Sequence, residues 1–464
     1  MGALADKIPS GRIDNSLSLI PAFVHRRIAH RPNLVKIVDN IGWLFFDRVL
    51  RMGVGLFVGV WIARYLGPEQ FGLLNFALAF TGLFGAIAAL GLRGIVVRDI
   101  VRHPESVRVT LGTAALLKLI GGLVAYLLVL GAIAYLRPDD TLARSIVAIL
   151  GSIMLLKVSE VAVFWFESQV QSKYTVWVEN GAFLVFAAIK VALILQHAPL
   201  IAFAWAMLAE AAVVAVLLLV VMKKRGLPLA RLRASGERGK TLLKDSWPLI
   251  LSALAITVYM KIDQIMLGQM IGDEAVGIYS AATRISEVWY FIPIAIVASV
   301  FPAIIQTKKR SEAQYYSRLQ RLYDLMVVIS LAVALPMTFL AAPIVALLFG
   351  EAYLGAGTVL AIHIWGGLFV SMGVARGKWL LAEGLQYMGY WYVGVGMVTN
   401  VVGNYLLIPV YGVIGAAFVT LLSQAMVALI APAFYRKTRV SSLMLLRSLT
   451  PGRWLMLLRA SGAT

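Results

Sequence analysis

Cysteine does not occur in the 464 residues, and acidic side chains are scarce. The first absence excludes disulfides, thiol nucleophiles and cysteine-held metals. The second is one of proportion: 23 Asp and Glu stand against 42 Lys and Arg, and all charged residues together make up 14% of the chain. A soluble domain usually holds about a quarter. What fills the space is apolar, with 60% hydrophobic residues and a mean hydropathy of +0.84. That composition belongs to a chain whose main solvent is lipid.

Runs of twenty or more mostly apolar residues recur, each long enough to cross a hydrocarbon core of about 30 Å as a helix. They fall near 39–64, 71–97, 110–136, 142–167, 174–196 and 199–222, then 246–269, 277–305, 322–349, 355–382, 387–409 and 412–435. The expected organisation is an all-α polytopic membrane protein of about twelve transmembrane helices. A leading segment 1–38 precedes a first six-helix bundle, 39–222. A basic linker, 223–245, leads to a second bundle, 246–435, and a tail, 436–464.

Two outer turns repeat each other 205 positions apart. Leu66-Gly67-Pro68-Glu69-Gln70-Phe71-Gly72 reads beside Ile271-Gly272-Asp273-Glu274-Ala275-Val276-Gly277. Trp43 and Trp247 occupy similar places ahead of them. A unit of about two hundred residues used twice in parallel orientation is a transporter architecture.

Lys and Arg fix the expected orientation. They crowd the leading segment, the connection Arg93–Arg108, the linker, the connection Lys308–Arg321 and the tail. The alternate connections are short, with Asp139, Asp140, Asp273, Glu274 and Glu351. Both termini are therefore expected in the cytoplasm. The net charge of +19 is spread over connections flanking the spans, which argues against nucleic acid as a partner. No secretory leader is expected, because the apolar patch Leu17–Val24 is embedded in basic residues. Leu17–Lys36 and Leu443–Leu458 read as interfacial helices on an anionic leaflet.

Charge within the spans marks the candidate site. The cations are Arg48, Arg51, Lys118, Lys157, Lys190, Lys261 and Arg284; the acids are Asp47, Glu160, Glu210, Asp263 and Glu287. Each cation facing lipid at a span centre costs roughly 3 kcal/mol. Seven would cost on the order of 20 kcal/mol, more than a fold's net stability of about 5–15 kcal/mol. A polar cavity between helices removes most of that cost.

Asp47–Arg51, Lys157–Glu160 and Arg284–Glu287 have the spacing of intrahelical pairs. Lys118 and Lys190 are expected to snorkel, and His363 to bond a neighbouring helix. Arg48, Lys261, Asp263 and Glu210 have no opposite charge one turn away, so their partners must lie on other helices or on a cargo. The surplus of cations suits an anion. Intramembrane carboxylates are by default candidates for carrying a proton or ion, which selects Asp263, Glu287, Glu160 and Glu210. Gly55-x-x-x-Gly59 permits close helix approach, and Pro248, Pro293, Pro302, Pro336 and Pro343 are candidate kink sites.

The blocks Trp43-Leu44, Gly59-Val60-Trp61-Ile62-Ala63-Arg64-Tyr65-Leu66-Gly67-Pro68-Glu69-Gln70-Phe71-Gly72 and Leu90-Gly91-Leu92-Arg93-Gly94 resemble the start of Wzx-type polysaccharide biosynthesis flippases. Asp263-Gln264-Ile265-Met266-Leu267-Gly268 and Gly277-Ile278-Tyr279-Ser280 extend the resemblance into the second half. It implies the multidrug/oligosaccharidyl-lipid/polysaccharide exporter superfamily, with two six-helix bundles in a V around a central cavity. The implied work is moving an undecaprenyl-pyrophosphate-linked oligosaccharide across a bacterial inner membrane for surface polysaccharide or lipopolysaccharide synthesis. No enzyme chemistry and no cofactor are implied. A polysaccharide polymerase and a chain-length regulator would be optional partners beside the bilayer and the lipid-linked cargo.

Related lipid flippases carry cavity arginines that map to Arg48 or Arg51 and to Arg284; Lys261 is the fourth candidate for the pyrophosphate. Guanidinium groups suit that anion because they bind it through paired hydrogen bonds. Trp289, Tyr290, Trp365 and Trp391 are candidates either to stack on sugars or simply to pack. Two rivals differ in kind. A cation-coupled multidrug exporter of the same superfamily relies on a cavity carboxylate, against the cationic surplus here. A membrane polymerase or ligase needs a large external loop, and none of the outer connections offers one.

Overall fold

The computed structural model describes residues 32–450, and among these every regular element is helical. Leu17–Lys36 lies mostly outside the described residues, as does the end of Leu443–Leu458. The first helix, α1 (Pro32–Ala89), reverses at Gly67, with φ 71° and ψ 172°. The left-handed φ favours glycine, and Pro68 offers no N–H to continue the ladder. In a straight helix Gly55 and Leu78 would stand about 35 Å apart, yet they line one small chamber.

The first half continues through α2 (Leu92–Arg102), α3 (Val107–Leu136), α4 (Thr141–Leu156), α5 (Glu160–Ser168), α6 (Lys173–Leu195) and α7 (Leu200–Lys224). The second half holds α8 (Gly236–Met270), α9 (Asp273–Val288), α10 (Phe291–Lys308), α11 (Glu312–Phe349), α12 (Gly355–His363), α13 (Gly366–Ala382) and α14 (Gln386–Ala425). A short α15 (Arg439–Ser448) follows. Helix α14 reverses at Gly412, with φ 58°; a methyl added to Gly403 would lie 2.8 Å from Val419, and one on Gly415 2.6 Å from the Leu407 carbonyl. Ten described stretches are long and apolar enough to cross a membrane. Two of them turn back on themselves, at Gly67 and Gly412.

The repeat is visible in the packing. At the end that the charge pattern assigns to the outside, here the outer end, the Gly67 and Gly272 turns abut. A Cβ on Gly72 would overlap the Asp273 carbonyl, and one on Gly277 would overlap that of Pro68. A shift of 205 residues interchanges these two contacts, the reciprocity expected across a twofold axis. The helix break at Lys157–Ser159 likewise has a counterpart between α12 and α13.

Three hydrophobic cores set the shape. One, at the outer end, is shared by both halves: Val60, Phe71 and Phe76 pack with Ile265, Tyr279 and Phe349. At the opposite end each half has its own, around Leu92, Leu111 and Phe164 in the first and Tyr315, Tyr323 and Trp379 in the second. The halves share a core at one end and keep separate cores at the other, where only the start of α8 packs across onto the first half.

The expected linker is helical from Gly236 onward. Ser235 caps α8 by accepting from the Arg238 amide at 3.4 Å, and Glu237 in the first turn suits the helix dipole. The start of α8 packs on the first half. Leu242 enters its core, Arg238 donates to Asp99 at 2.9 Å, and Arg98 reaches Asp245 at 3.2 Å. Further along, Ile265 and Leu267 enter the shared outer core. The tail helix α15 docks on α11, where Gln320 donates to Ser448 Oγ at 2.8 Å and to the Met444 carbonyl at 3.0 Å. Its Val440, Leu443 and Leu446 remain exposed, as expected at a lipid interface.

Candidate functional site

Between the separate ends lies a cavity of about 720 Å³. It is lined from the first half by Asp47, Arg48, Arg51, Asn75 and Leu78, and from α8 by Thr257, Lys261 and Gln264. Helix α9 contributes Ser280, Thr283, Arg284 and Glu287, and α10 contributes Phe291. All four cations expected to bind an anion line it, against two carboxylates.

Their surroundings differ. Arg51 is tied down: it donates to Asp47 at 2.7 Å, to Asn180 at 3.1 Å and to Glu179 at 3.3 Å. Lys261 is held loosely by Glu287 at 3.9 Å. Arg48 and Arg284 make no hydrogen bond or ion pair with the described residues. Arg284 leaves α9, crosses to α1, lies against Gly59 and sits with its Cζ 5.4 Å from the centre of the Phe71 ring. It also borders a second chamber of about 150 Å³ within the first half, which Lys190 lines as well.

The carboxylates separate in the same way. Asp263 is buried away from the cavity and accepts from Tyr279 Oη, from Thr420 Oγ1 at 3.3 Å and from the Gln264 amide at 2.8 Å. It has no ion-pair partner among the described residues. Glu160 pairs with Lys118 at 2.7 Å and not with Lys157, which reaches only the Gly85 carbonyl at 3.5 Å. Lys118 stands about 17 Å along α3 from its start, too deep to snorkel, so the Glu160 carboxylate at the start of α5 neutralises it. Lys190 likewise meets Glu210 at 2.7 Å. Glu287 faces Lys261 and not Arg284, whose side chain is drawn across to α1. His363 bonds Ser286 through Nδ1 at 2.7 Å, as the sequence suggests.

None of the four aromatics considered for sugar stacking lines the cavity, whose sole aromatic is Phe291. Trp391 is 70% exposed, Trp365 donates to Thr338 at 3.1 Å, and Tyr290 accepts from Gln424 at 3.4 Å. Reading charges alone misses the neutral lining: Asn75, Thr257, Gln264, Ser280 and Thr283. Helical spacing exposes it, since 280, 283, 284 and 287 share one face and so do 257, 261 and 264.

The outer end of the cavity is shut by a cross-half cluster. Arg137 donates to both carboxylate oxygens of Asp273 at 2.8 Å and to the Gly268 carbonyl at 2.8 Å, with its Cζ 3.9 Å from the centre of the Phe76 ring. Burial opposes its charge, but hydrogen bonds and charge from Asp273, and from Asp140 beside it, together outweigh burial and hold its pKa above the ordinary arginine value. Tyr353 adds a bond to the Ala63 carbonyl at 2.7 Å.

A helical wedge around a cation-rich cavity, closed at one end by contacts that must break to open it, is a multi-pass membrane transporter. The chain belongs to the family described as polysaccharide biosynthesis protein, whose sequence pattern matches residues 37–308. The MatE pattern matches residues 248–406. Among curated relatives, "Probable low-salt glycan biosynthesis flippase Agl15" of Haloferax volcanii is 24% identical over 394 residues, covering 80% of this chain and 78% of its own length. "Probable flippase AglR" of the same organism is 30% identical, but over 183 residues only, 37% of either chain. Among solved structures, the lipid II flippase MurJ in an inward closed conformation superposes with a TM-score of 0.68 at 14% identity, covering 89% of this chain and 91% of that one. The fold is shared with it.

Proposed function

We propose that this protein flips an undecaprenyl-pyrophosphate-linked oligosaccharide from the inner to the outer leaflet of a bacterial cytoplasmic membrane, with both its termini in the cytoplasm. One observation carries the reading: Arg48 and Arg284 face a closed-ended, cation-rich cavity with no anion among the described residues on either. A charged group desolvated in the membrane without a partner is costly, and a bound diphosphate supplies that partner through paired, charge-assisted hydrogen bonds. Arg51 is already satisfied by Asp47 and Glu179, so Arg48 is the first-helix arginine assigned to the cargo, with Lys261 beside it. The names of the relatives, a glycan flippase and a lipid II flippase, support the same cargo class.

In this reading the halves rock about the shared outer core, and the polyprenyl tail stays in lipid while the head group crosses. No covalent step is involved. Asp263 is the coupling carboxylate of choice, because Glu160, Glu210 and Glu287 are each matched by a lysine. A polymerase and a chain-length regulator would act on the product at the outer face. A multidrug exporter of the superfamily fits less well, since a cation would enter a site with twice as many cations as carboxylates.

The test is complementation of surface glycan export in a strain lacking its own copy. Arg284→Ala is expected to lose export at normal protein level, and Arg284→Lys to recover only part, since a point charge replaces a planar fork. Full export by Arg284→Ala would remove the basis of the proposal.

A further inference from the structure

We propose that Gly59 is a positioning residue for the anion site: with Phe71 it forms a seat on the first half that fixes the guanidinium of Arg284, which comes from the second. The inference rests on the assignment of Arg284 to the cargo's diphosphate.

The geometry is specific to this glycine. A methyl group at position 59 would overlap Arg284 Nη1 and stand 2.8 Å from Cζ and 3.5 Å from Cδ. All three nearest atoms belong to Arg284, so a side chain here meets that arginine first. On the same helix, Gly53 has open space where a Cβ would go. The guanidinium therefore lies flush on the α1 backbone, with Phe71 offering the face of its ring. A long side chain otherwise has many rotamers to choose from. Wedged between Gly59 and Phe71, Arg284 reaches the cavity already ordered, although no acid among the described residues holds it.

The seat also depends on the state of the transporter. Gly59 and Phe71 flank the Gly67 turn, and Arg284 lies about three turns along α9 from the Gly272 turn; the two turns interlock here, at the closed outer end. When the halves part there, Arg284 leaves its seat. The ordered guanidinium is thus a property of the state that loads cargo, and the state that releases it presents a looser, weaker site.

The experiment measures binding of undecaprenyl diphosphate to purified full-length protein, with undecaprenol as the neutral control. Gly59→Ala should weaken diphosphate binding nearly as much as Arg284→Ala, roughly tenfold to a hundredfold for one ordered charge-assisted contact. Gly53→Ala should leave it unchanged. Adding Gly59→Ala to Arg284→Ala should cost nothing more. Gly59→Ala should also be silent beside Arg284→Lys, which lacks the atoms that collide. If Gly59→Ala fails to fold, Phe71→Leu decides instead: it removes the ring face and should weaken binding about threefold.

Loss of binding in Arg284→Ala with normal binding in Gly59→Ala, or additive losses in the double variant, overturns the seat and leaves the transport reading standing. Normal binding in Arg284→Ala overturns both. Unaltered binding in a Phe71→Leu protein that stands in for an unfoldable Gly59→Ala also overturns the seat.

Discussion

Arg137→Ala should open the outer end. The side chains of Arg137 and Asp273 are only 11% and 17% exposed, so water screens the pair weakly. The substitution removes two charge-assisted bonds to Asp273, one to a carbonyl, and the stacking on Phe76. Hydrogen bonds to charged groups contribute about 1.5–3 kcal/mol and an Arg over a ring about 0.5–2 kcal/mol. Phe76 belongs to the same half as Arg137, so only the bonds to Asp273 and Gly268 distinguish the two states. A loss of about 3 kcal/mol from those, confined to the closed arrangement, shifts the open-to-closed ratio by about a hundredfold.

The native chain contains no cysteine, so a single thiol reports without background. Ser280→Cys is a conservative probe in the cavity lining, because the buried Ser280 hydroxyl has no hydrogen-bond partner among the described residues. A membrane-impermeant maleimide added at the outer face should label it slowly in the otherwise native chain and about a hundredfold faster with Arg137→Ala. The exchange Arg137→Asp with Asp273→Arg should restore slow labelling. Equal rates with and without Arg137 would refute the reasoning, for the pair would then not hold the end shut.

Two further outcomes follow from the buried carboxylates. Flipping in proteoliposomes should respond to an imposed proton or sodium gradient, and Asp263→Asn should abolish the response; an unmodified protein that ignores both gradients leaves Asp263 a structural partner of Tyr279. Lys190→Met strands Glu210 in the membrane interior, a loss of about 3 kcal/mol seen as a thermal midpoint several degrees lower. Adding Glu210→Leu should recover most of that loss, and a double variant no better than the single would show that the pair does not act as a unit.

The apolar runs, the repeat and the cavity cations are legible in the sequence because each leaves a local mark. Helix length is set by bilayer thickness, and a cation in an apolar run signals its own cost. Which charges meet is less legible. Lys157–Glu160 and Arg284–Glu287 have helical spacing, yet Glu160 turns to Lys118 and Glu287 to Lys261, because partners across a bundle are chosen by packing that no local window contains. Lys118 and Lys190 read as snorkelling residues for the same reason. The glycine pair at 55 and 59 reads as a generic helix contact, whereas the structure gives Gly59 to a side chain from 225 positions away.

Helix α8 carries a consequence for how the molecule is made. Leu242 completes the core around Leu92 and Leu111, and Arg238 gives Asp99 a second basic partner beside Arg98, although both follow the spans they serve. The first half is thus not a finished unit when its own last helix leaves the ribosome. It stays open on one side until the seventh span arrives. The two halves are joined by borrowing: the later half gives the start of its first helix to the earlier one. Assembly in the membrane therefore runs through α8, and the order of synthesis becomes part of the fold.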